Sequence, residues 1–343
     1  MEETVAFHRE ILENYGYSSI TLLAVNEVPN MTSGETKMPN LKTMYVKEKL
    51  SPQVYAYASL HLKNRGIRST AEELLSQAKM YYDAGFDGIK MFYNAYMYEE
   101  GYPSLSYRIY EPFFRFMEEK GFPIVLHLGE AELCWREPEL IPETQRKWRI
   151  TNAYIHLYDI FRDFLTVMDR HPKLKMVLAH FGSITEHPDW AAQWLDKYEN
   201  LYFDLTPSPF IYYNFQENKE IWTEFFTKYQ DRILYGTDIG SNDRDIEKKE
   251  PDALVHLVKG FFTETEPIYE LGEEFSPMPL PEPILRKIFR ENMLRLHNGA
   301  PRPLCKEALY PEFQWEDTFG VHSPINQENM RQIKMAFGYP QQE

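Results

Sequence analysis

Apolar and polar positions along this chain follow two alternating periods. Val5, His8, Ile11, Leu12 and Tyr15 recur at helical spacing and predict a helix over Thr4–Tyr15, with Gly16 as its stop. Ser19–Val25 is a short β-rich run. Asn26–Leu50, with Pro29, Gly34 and Pro39, reads as a long loop, the kind that usually serves as a lid or binding loop. Further strands are predicted at Val54–Leu60, Gly88–Phe92, Pro123–Leu128, Leu174–Ala179, Leu201–Leu205 and Arg232–Tyr235. Helices are predicted between them. Thr70–Ala84 has Ser69 or Thr70 as cap and Glu72 and Glu73 at the positive end of its dipole. Tyr107–Lys120, Asn152–Arg170, Pro188–Tyr198, Lys219–Lys228, Asp252–Phe262 and Glu282–His297 follow, and Ala131–Trp148 reads as a loop. After Gly299 there is little periodicity, which predicts a tail packed along the domain.

Strand, loop and helix thus repeat about seven times without a break, and most strands are nearly continuous apolar runs. That rhythm predicts a parallel sheet with helices outside. It leaves two architectures, the doubly wound open sheet and the (β/α)8 TIM barrel. No GxGxxG and no GxxxxGKS or GxxxxGKT occurs, which weakens the nucleotide-binding open sheet. The barrel is therefore expected over residues 1–298, with 299–343 as a C-terminal tail.

Chemistry enters at the strand ends. PIVLHLGE, MVLAHFGS and ILYGTDIG each carry an apolar run into one residue able to bind a metal or move a proton: His127, His180 and Asp238. Polarity at the C-terminal ends of several strands is what a barrel active site looks like. Imidazole and carboxylate are ligands for Zn2+ at catalytic sites, where a bound water drops to a pKa of about 7. Glu130 lies just past its strand and is a candidate pocket carboxylate. Lys90, inside a strand, reads either as a cation for an anionic substrate or as a snorkelling lysine on an edge. Arg136, Trp148 and Arg149 are loop residues able to meet substrate. Asp204 reads as lying on a strand's outer face, with a role in fixing a histidine tautomer as the alternative. His61, ending its own strand, reads as a packing residue, with a place in the pocket lining as the alternative. His156 looks like a helix residue, and His322 carries no signal.

Bulk properties narrow the partners. A net charge of -15 disfavours nucleic acid. The absence of an 18-residue apolar run disfavours a membrane span. Two cysteines make no disulfide framework, and the acidic start MEETVAFHRE does not resemble a signal peptide, so the cytoplasm is expected. The 24 Tyr and 22 Phe fit a rich core, an aromatic-lined pocket or a subunit interface such as that of a homodimer.

Taken in order, PIVLHLGE, MVLAHFGS, LYFDLT, RILYGTDIG and RENMLRLHN, with GFDGIKMF before them, resemble the amidohydrolase-related metal-dependent hydrolases. That group includes aminocarboxymuconate semialdehyde decarboxylase and related aromatic-acid decarboxylases. The likeness spans roughly Ile20 to His297. It implies an amidohydrolase-type (β/α)8 barrel that hydrolyses or non-oxidatively decarboxylates a small carboxylated or cyclic substrate. It also implies a divalent metal, with Zn2+ expected. By the resemblance His127 binds the metal, Asp238 binds it and acts as acid and base, and His180 touches the activated water or a second metal. Lys90, Glu130 and Arg149 are the expected substrate contacts. One departure stands out. The family opens with a strand ending in His-x-His, and this chain has no His-x-His. Its first strand is therefore expected to be missing or replaced. It lies upstream of the sequence, the tail fills its place, or the barrel has lost its metal. On the last reading the barrel binds a ligand or partner without turnover.

Overall fold

The computed structural model describes residues 1–25, 37–62, 69–99, 101–141, 143, 146, 149–150, 155–240, 250–320 and 322–340. In chain order its main elements are α1 (Glu2–Asn14), β1 (Ile20–Leu23), α2 (Pro39–Leu50), β2 (Val54–Ser59), α3 (Ala71–Ala84), β3 (Gly88–Tyr93), α4 (Ala95–Glu99), α5 (Glu111–Lys120) and β4 (Ile124–Leu128). Then come α6 (Leu157–Arg170), β5 (Met176–Leu178), α7 (Pro188–Lys197), β6 (Leu201–Asp204), α8 (Pro209–Glu217), α9 (Lys219–Lys228), β7 (Ile233–Leu234) and α10 (Glu250–Thr263). A small hairpin, β8 (Ile268–Glu270) and β9 (Glu273–Phe275), precedes α11 (Glu282–Arg286), α12 (Asn292–Leu296), α13 (Tyr310–Phe319) and α14 (Pro324–Phe337). The seven strands β1 to β7 take their sheet positions in chain order. This is the barrel sheet of the expected fold with one strand fewer. Among the described residues β1 pairs only with β2 and β7 only with β6.

The chain forms two compact units. The first comprises residues 1–92, 100–125 and 300–343. Here β1, β2 and β3 run parallel, with Ile20 opposite Val54 and Tyr57 opposite Gly88. Every residue of β2 is buried, so its sequence VYAYAS shows no alternation. Thr70 caps α3 through a reciprocal bond with Glu73, as its sequence predicts.

Pro39–Leu50, expected to be loop, is instead a helix. Pro39 stands in its first turn, and Asn40, Thr43 and Lys47 are buried beside Leu41, Met44 and Tyr45. A helix buried around most of its circumference has no polar face to reveal its period. The rest of that expected loop, residues 26–36, lies outside the described residues.

Lys47 explains part of the burial. Its ammonium donates to Asp87 at 2.6 Å and to the Gly85 carbonyl at 2.7 Å. Asp87 also accepts from the amides of Ala56 and Arg302, each at 2.7 Å. Burial works against both charges, and Asp87 is held above the ordinary carboxylate range. Arg302 belongs to the chain beyond Gly299, so this buried pair fastens that segment. Gly85 completes the joint. It has φ of +90°, and a Cβ there would stand 2.1 Å from the Pro303 carbonyl oxygen. The tail adds helices α13 and α14 to the unit, and no strand among its described residues.

The second unit comprises residues 93–99 and 126–299. Here β5, β6 and β7 are parallel, with Met176 opposite Leu201 and Phe203 opposite Ile233. Phe181 stacks on Phe203 at 4.6 Å and packs edge-on against Phe215 and Trp222. The closing motif of RENMLRLHN positions β7. Asn292 donates to the carbonyls of Gln230 and Ile233, both at 2.7 Å, and Arg295 pairs with Asp231 at 3.1 Å. Between α11 and α12 a π-helical turn, Lys287–Glu291, contains the Ile288 carbonyl that accepts the Tyr235 amide at 3.1 Å. The strand is thus held on both sides just before Gly236–Thr237–Asp238.

Candidate active site

Two of the three strand-end residues meet. His127 lies in the last turn of β4 and His180 directly after β5, and their rings stand 5.0 Å apart, edge to face. Both lie in the second unit. His127 Nε2 donates to Glu130 Oε1 at 3.1 Å, and the same oxygen accepts from Asn94 Nδ2 at 3.1 Å. Asn94 follows β3 directly and caps the short α4 by accepting the Met97 amide at 3.1 Å. Burial pushes Glu130 up, but His127, His180 and the Asn94 bond together hold it below the usual carboxylate value. It is therefore an anion at neutral pH, oriented by a fixed amide.

His180 sits in an unusual turn. His180, Phe181, Gly182 and Ser183 all have positive φ, and three of the four carry a Cβ. Each such residue costs about 1–2 kcal/mol, so the turn needs external support. Asp204, at the end of β6, supplies it: Oδ1 accepts the amides of His180 at 2.9 Å and Thr206 at 3.0 Å. Phe181, buried among aromatic rings, anchors the turn from below. Asp204 is therefore buried and points into the sheet end, not to an outer face as the sequence suggested. It fixes the backbone of His180. The ring is set by Thr206, whose carbonyl accepts from His180 Nδ1 at 3.3 Å. A carbonyl can only accept, so the proton sits on Nδ1 and the ring lone pair on Nε2, the nitrogen with metal-binding or proton-accepting chemistry.

Asp238 stands apart. It is exposed, has a left-handed backbone with φ of 55°, and makes no hydrogen bond or ion pair to the two histidines among the described residues. Lys90 is buried in β3 of the first unit, its ammonium 4.6 Å from the Phe92 ring centre. It is not the snorkelling edge lysine that one reading of the sequence allowed. Arg149 bonds within its own loop, to the Arg136 carbonyl at 3.0 Å and Glu137 at 3.2 Å. Arg136 pairs with Glu186. Trp148 lies outside the described residues. His156 is not inside a helix but caps α6, its Nδ1 accepting the Tyr158 amide at 3.3 Å.

Cys134 is poorly suited to act as a nucleophile at this end of the sheet. Burial pushes the Cys134 thiol up to about 12, so it carries no thiolate at neutral pH. The residues that sequence reasoning missed are Asn94 and Thr206. Asn94 had one local signal, a helix-capping residue type just after a strand. Thr206 acts through its backbone and had none.

A family profile described as amidohydrolase matches residues 58–298, more than half of the chain. The chain belongs to the amidohydrolase family. Comparison with curated proteins gives no significant match. Among solved structures, a TIM-barrel protein from Bordetella bronchiseptica superposes with a TM-score of 0.55 at 16% identity, over 86% of this chain and 83% of that one. A 4-oxalomesaconate hydratase from Rhodopseudomonas palustris gives 0.51 at 15%, over 92% and 84%. A dihydroxybenzoic acid decarboxylase from a Polaromonas species, solved with manganese and the inhibitor 2-nitroresorcinol, gives 0.50 at 14%, over 85% of each chain. At these identities the likeness concerns the fold. No helix among the described residues is long and apolar enough to cross a membrane.

The donor chemistry at the strand ends suits a divalent cation. Two imidazoles meet there, one with its tautomer fixed, next to a carboxylate held as an anion.

Proposed function

We propose that this protein is a metal-dependent enzyme that hydrolyses or non-oxidatively decarboxylates a small carboxylated or cyclic substrate. The observation that carries the proposal is the convergence of His127 and His180 from neighbouring strand ends, with ring centres 5.0 Å apart. His127 and His180, with Asp238 from the next strand end but one, are the residues proposed to hold the metal, and Zn2+ is the ion proposed. A cation held there would polarise a substrate carboxylate or carbonyl and bring a bound water to a pKa of about 7.

The rest of the work falls to side chains. His180 presents Nε2, because Nδ1 is committed to the Thr206 carbonyl. Glu130 holds His127 through Nε2. It thereby restrains that ring until a ligand competes for the nitrogen. Asp238 is the proposed acid and base, giving a proton to the leaving atom or taking one from water. Its exposed position leaves it accessible to solvent protons. Lys90, Glu130 and Arg149 are the proposed substrate contacts. For Arg149 that requires exchange of its Glu137 partner.

One observation favours a second reading, a barrel that binds a small ligand or partner without turnover: Asp238 is not joined to the histidine pair. The two readings separate in one experiment. The purified chain is stripped with chelator, reloaded with Zn2+ or Mn2+, and assayed on a panel of aromatic and unsaturated carboxylic acids and cyclic amides. The enzyme reading expects metal-dependent turnover that falls at least about 100-fold in His127→Asn and Asp238→Asn. Absence of turnover with either metal, alongside ligand binding unchanged in both variants, would establish the second reading instead.

A further inference from the structure

We propose that His61, Glu312 and Glu316 form a second site for a divalent transition cation of the Zn2+ or Mn2+ type, which fastens α13 to the end of β2. All three residues belong to the first unit. Among the described residues, this is the one group of His, Cys, Asp and Glu in which three ligand atoms lie within 4.8 Å of one another. Glu312 and Glu316 stand one helical turn apart on the same face of α13, and that face is buried. Glu312 is 1% exposed, Glu316 0% and His61 7%. Two carboxylates side by side out of water are costly unless a cation or a proton lies between them.

The two acids are treated differently by their surroundings. Glu312 is fully engaged. Its Oε1 accepts from Asn40 Nδ2 at 2.9 Å and from His61 Nε2 at 2.8 Å, and its Oε2 accepts from the Tyr81 hydroxyl at 3.0 Å. That arrangement fixes it in direction. Asn40 also binds both the amide and the carbonyl of Ser59, which ties the acid to the end of β2. The His61 ring lies flat on Trp315 at 3.5 Å, so its orientation is fixed as well.

Glu316 is the unusual member. Both its carboxylate oxygens are buried and neither has a hydrogen-bond partner among the described residues. A basic nitrogen, His322 Nε2, stands 3.6 Å from Oε2 and donates instead to the Glu316 backbone carbonyl at 3.3 Å. A carboxyl buried in this way, with no partner for either oxygen among the described residues, calls for a cation or a proton to take up its charge. A buried acid aimed at a fixed carboxylate and a fixed imidazole is a ligand set short of its ion. One imidazole and two carboxylates neutralise a divalent charge, and N and O donors in that ratio suit Zn2+ or Mn2+.

The test uses the full chain, stripped with chelator and titrated with Zn2+. Bound metal is counted by mass spectrometry after gel filtration, and Co2+ serves as a spectroscopic substitute. Glu316→Gln copies the protonated acid in shape and polarity, so its fold should be kept, and near-UV circular dichroism checks this. Wild type is expected to bind an equivalent of metal that E316Q lacks or binds more than about 100-fold more weakly. Zn2+ should raise the melting temperature of wild type and not of E316Q. A His127→Asn, Asp238→Asn double variant should keep the equivalent that E316Q loses, which separates this site from the proposed active site. His61→Asn should behave like E316Q. The proposal is overturned if folded E316Q binds metal with wild-type stoichiometry and affinity, or if the H127N, D238N variant binds none.

Discussion

Replacing Asp204 by Ala tests how the His180 turn is held. Its Oδ1 accepts two backbone amides, those of His180 and Thr206, in a buried setting. Alanine leaves both N–H groups without that acceptor, and each such loss costs about 1–3 kcal/mol. The left-handed run from His180 to Ser183 also loses the contact that pins its start. Water entering the vacated space recovers some of this, so the expected destabilisation is about 2–4 kcal/mol. For a chain of this size that is a fall in melting temperature on the order of 3–6 °C. Asp204→Asn keeps an acceptor at the same place but loses the charge, and should cost only about 1 kcal/mol. Thermal and urea unfolding followed by circular dichroism give both numbers. The His180 ring should shift in the alanine variant, seen as a changed imidazole signal by NMR, and metal affinity at the strand ends should drop with it. A D204A protein as stable as wild type, with an unmoved His180 resonance, would show that the turn is held by Phe181 packing alone.

Two further outcomes follow from the charged groups. Lys47→Ala or Asp87→Ala should each cost about 3–5 kcal/mol, because the partner is left buried and unpaired. The double change Lys47→Met, Asp87→Leu should cost markedly less than the sum; equilibrium unfolding of all three variants checks this, and an additive result would refute the coupling. His256, between Glu270 at 2.6 Å and Glu264 at 3.0 Å, has its pKa raised above 6.5, first by the bond to Glu270. A raised value means that its stabilisation is full below the unfolded pKa and is lost as pH rises through the folded one. His256→Gln should therefore lower the melting temperature more at about pH 5.5 than at about pH 8.5. An equal effect at both would refute the ion-pair account.

Much of the fold was legible because its signals are local. Buried strands are contiguous apolar runs, and helix starts such as Thr70 with Glu73 act over three residues. The positions of His127 and His180 were readable for the same reason, since the end of an apolar run is marked in the run itself. The helix Pro39–Leu50 was not readable, because burial around most of its circumference removes the polar face that reveals a period.

By itself, then, the sequence determined the order of the strands and of most helices before Gly299, the family, and which polar residues stand at strand ends. Which of them meet was decided only by tertiary structure. His127 and His180 face each other, with the turn after β5 held by Asp204, while Asp238 makes no bond to them among the described residues. His61 looked like a packing residue and is bonded to Glu312, 251 positions away. Apolar pattern and propensity act over a few residues. A contact between distant acids and a strand-end histidine exists only once packing has carried α13 there, and nothing in the local pattern of either segment encodes it.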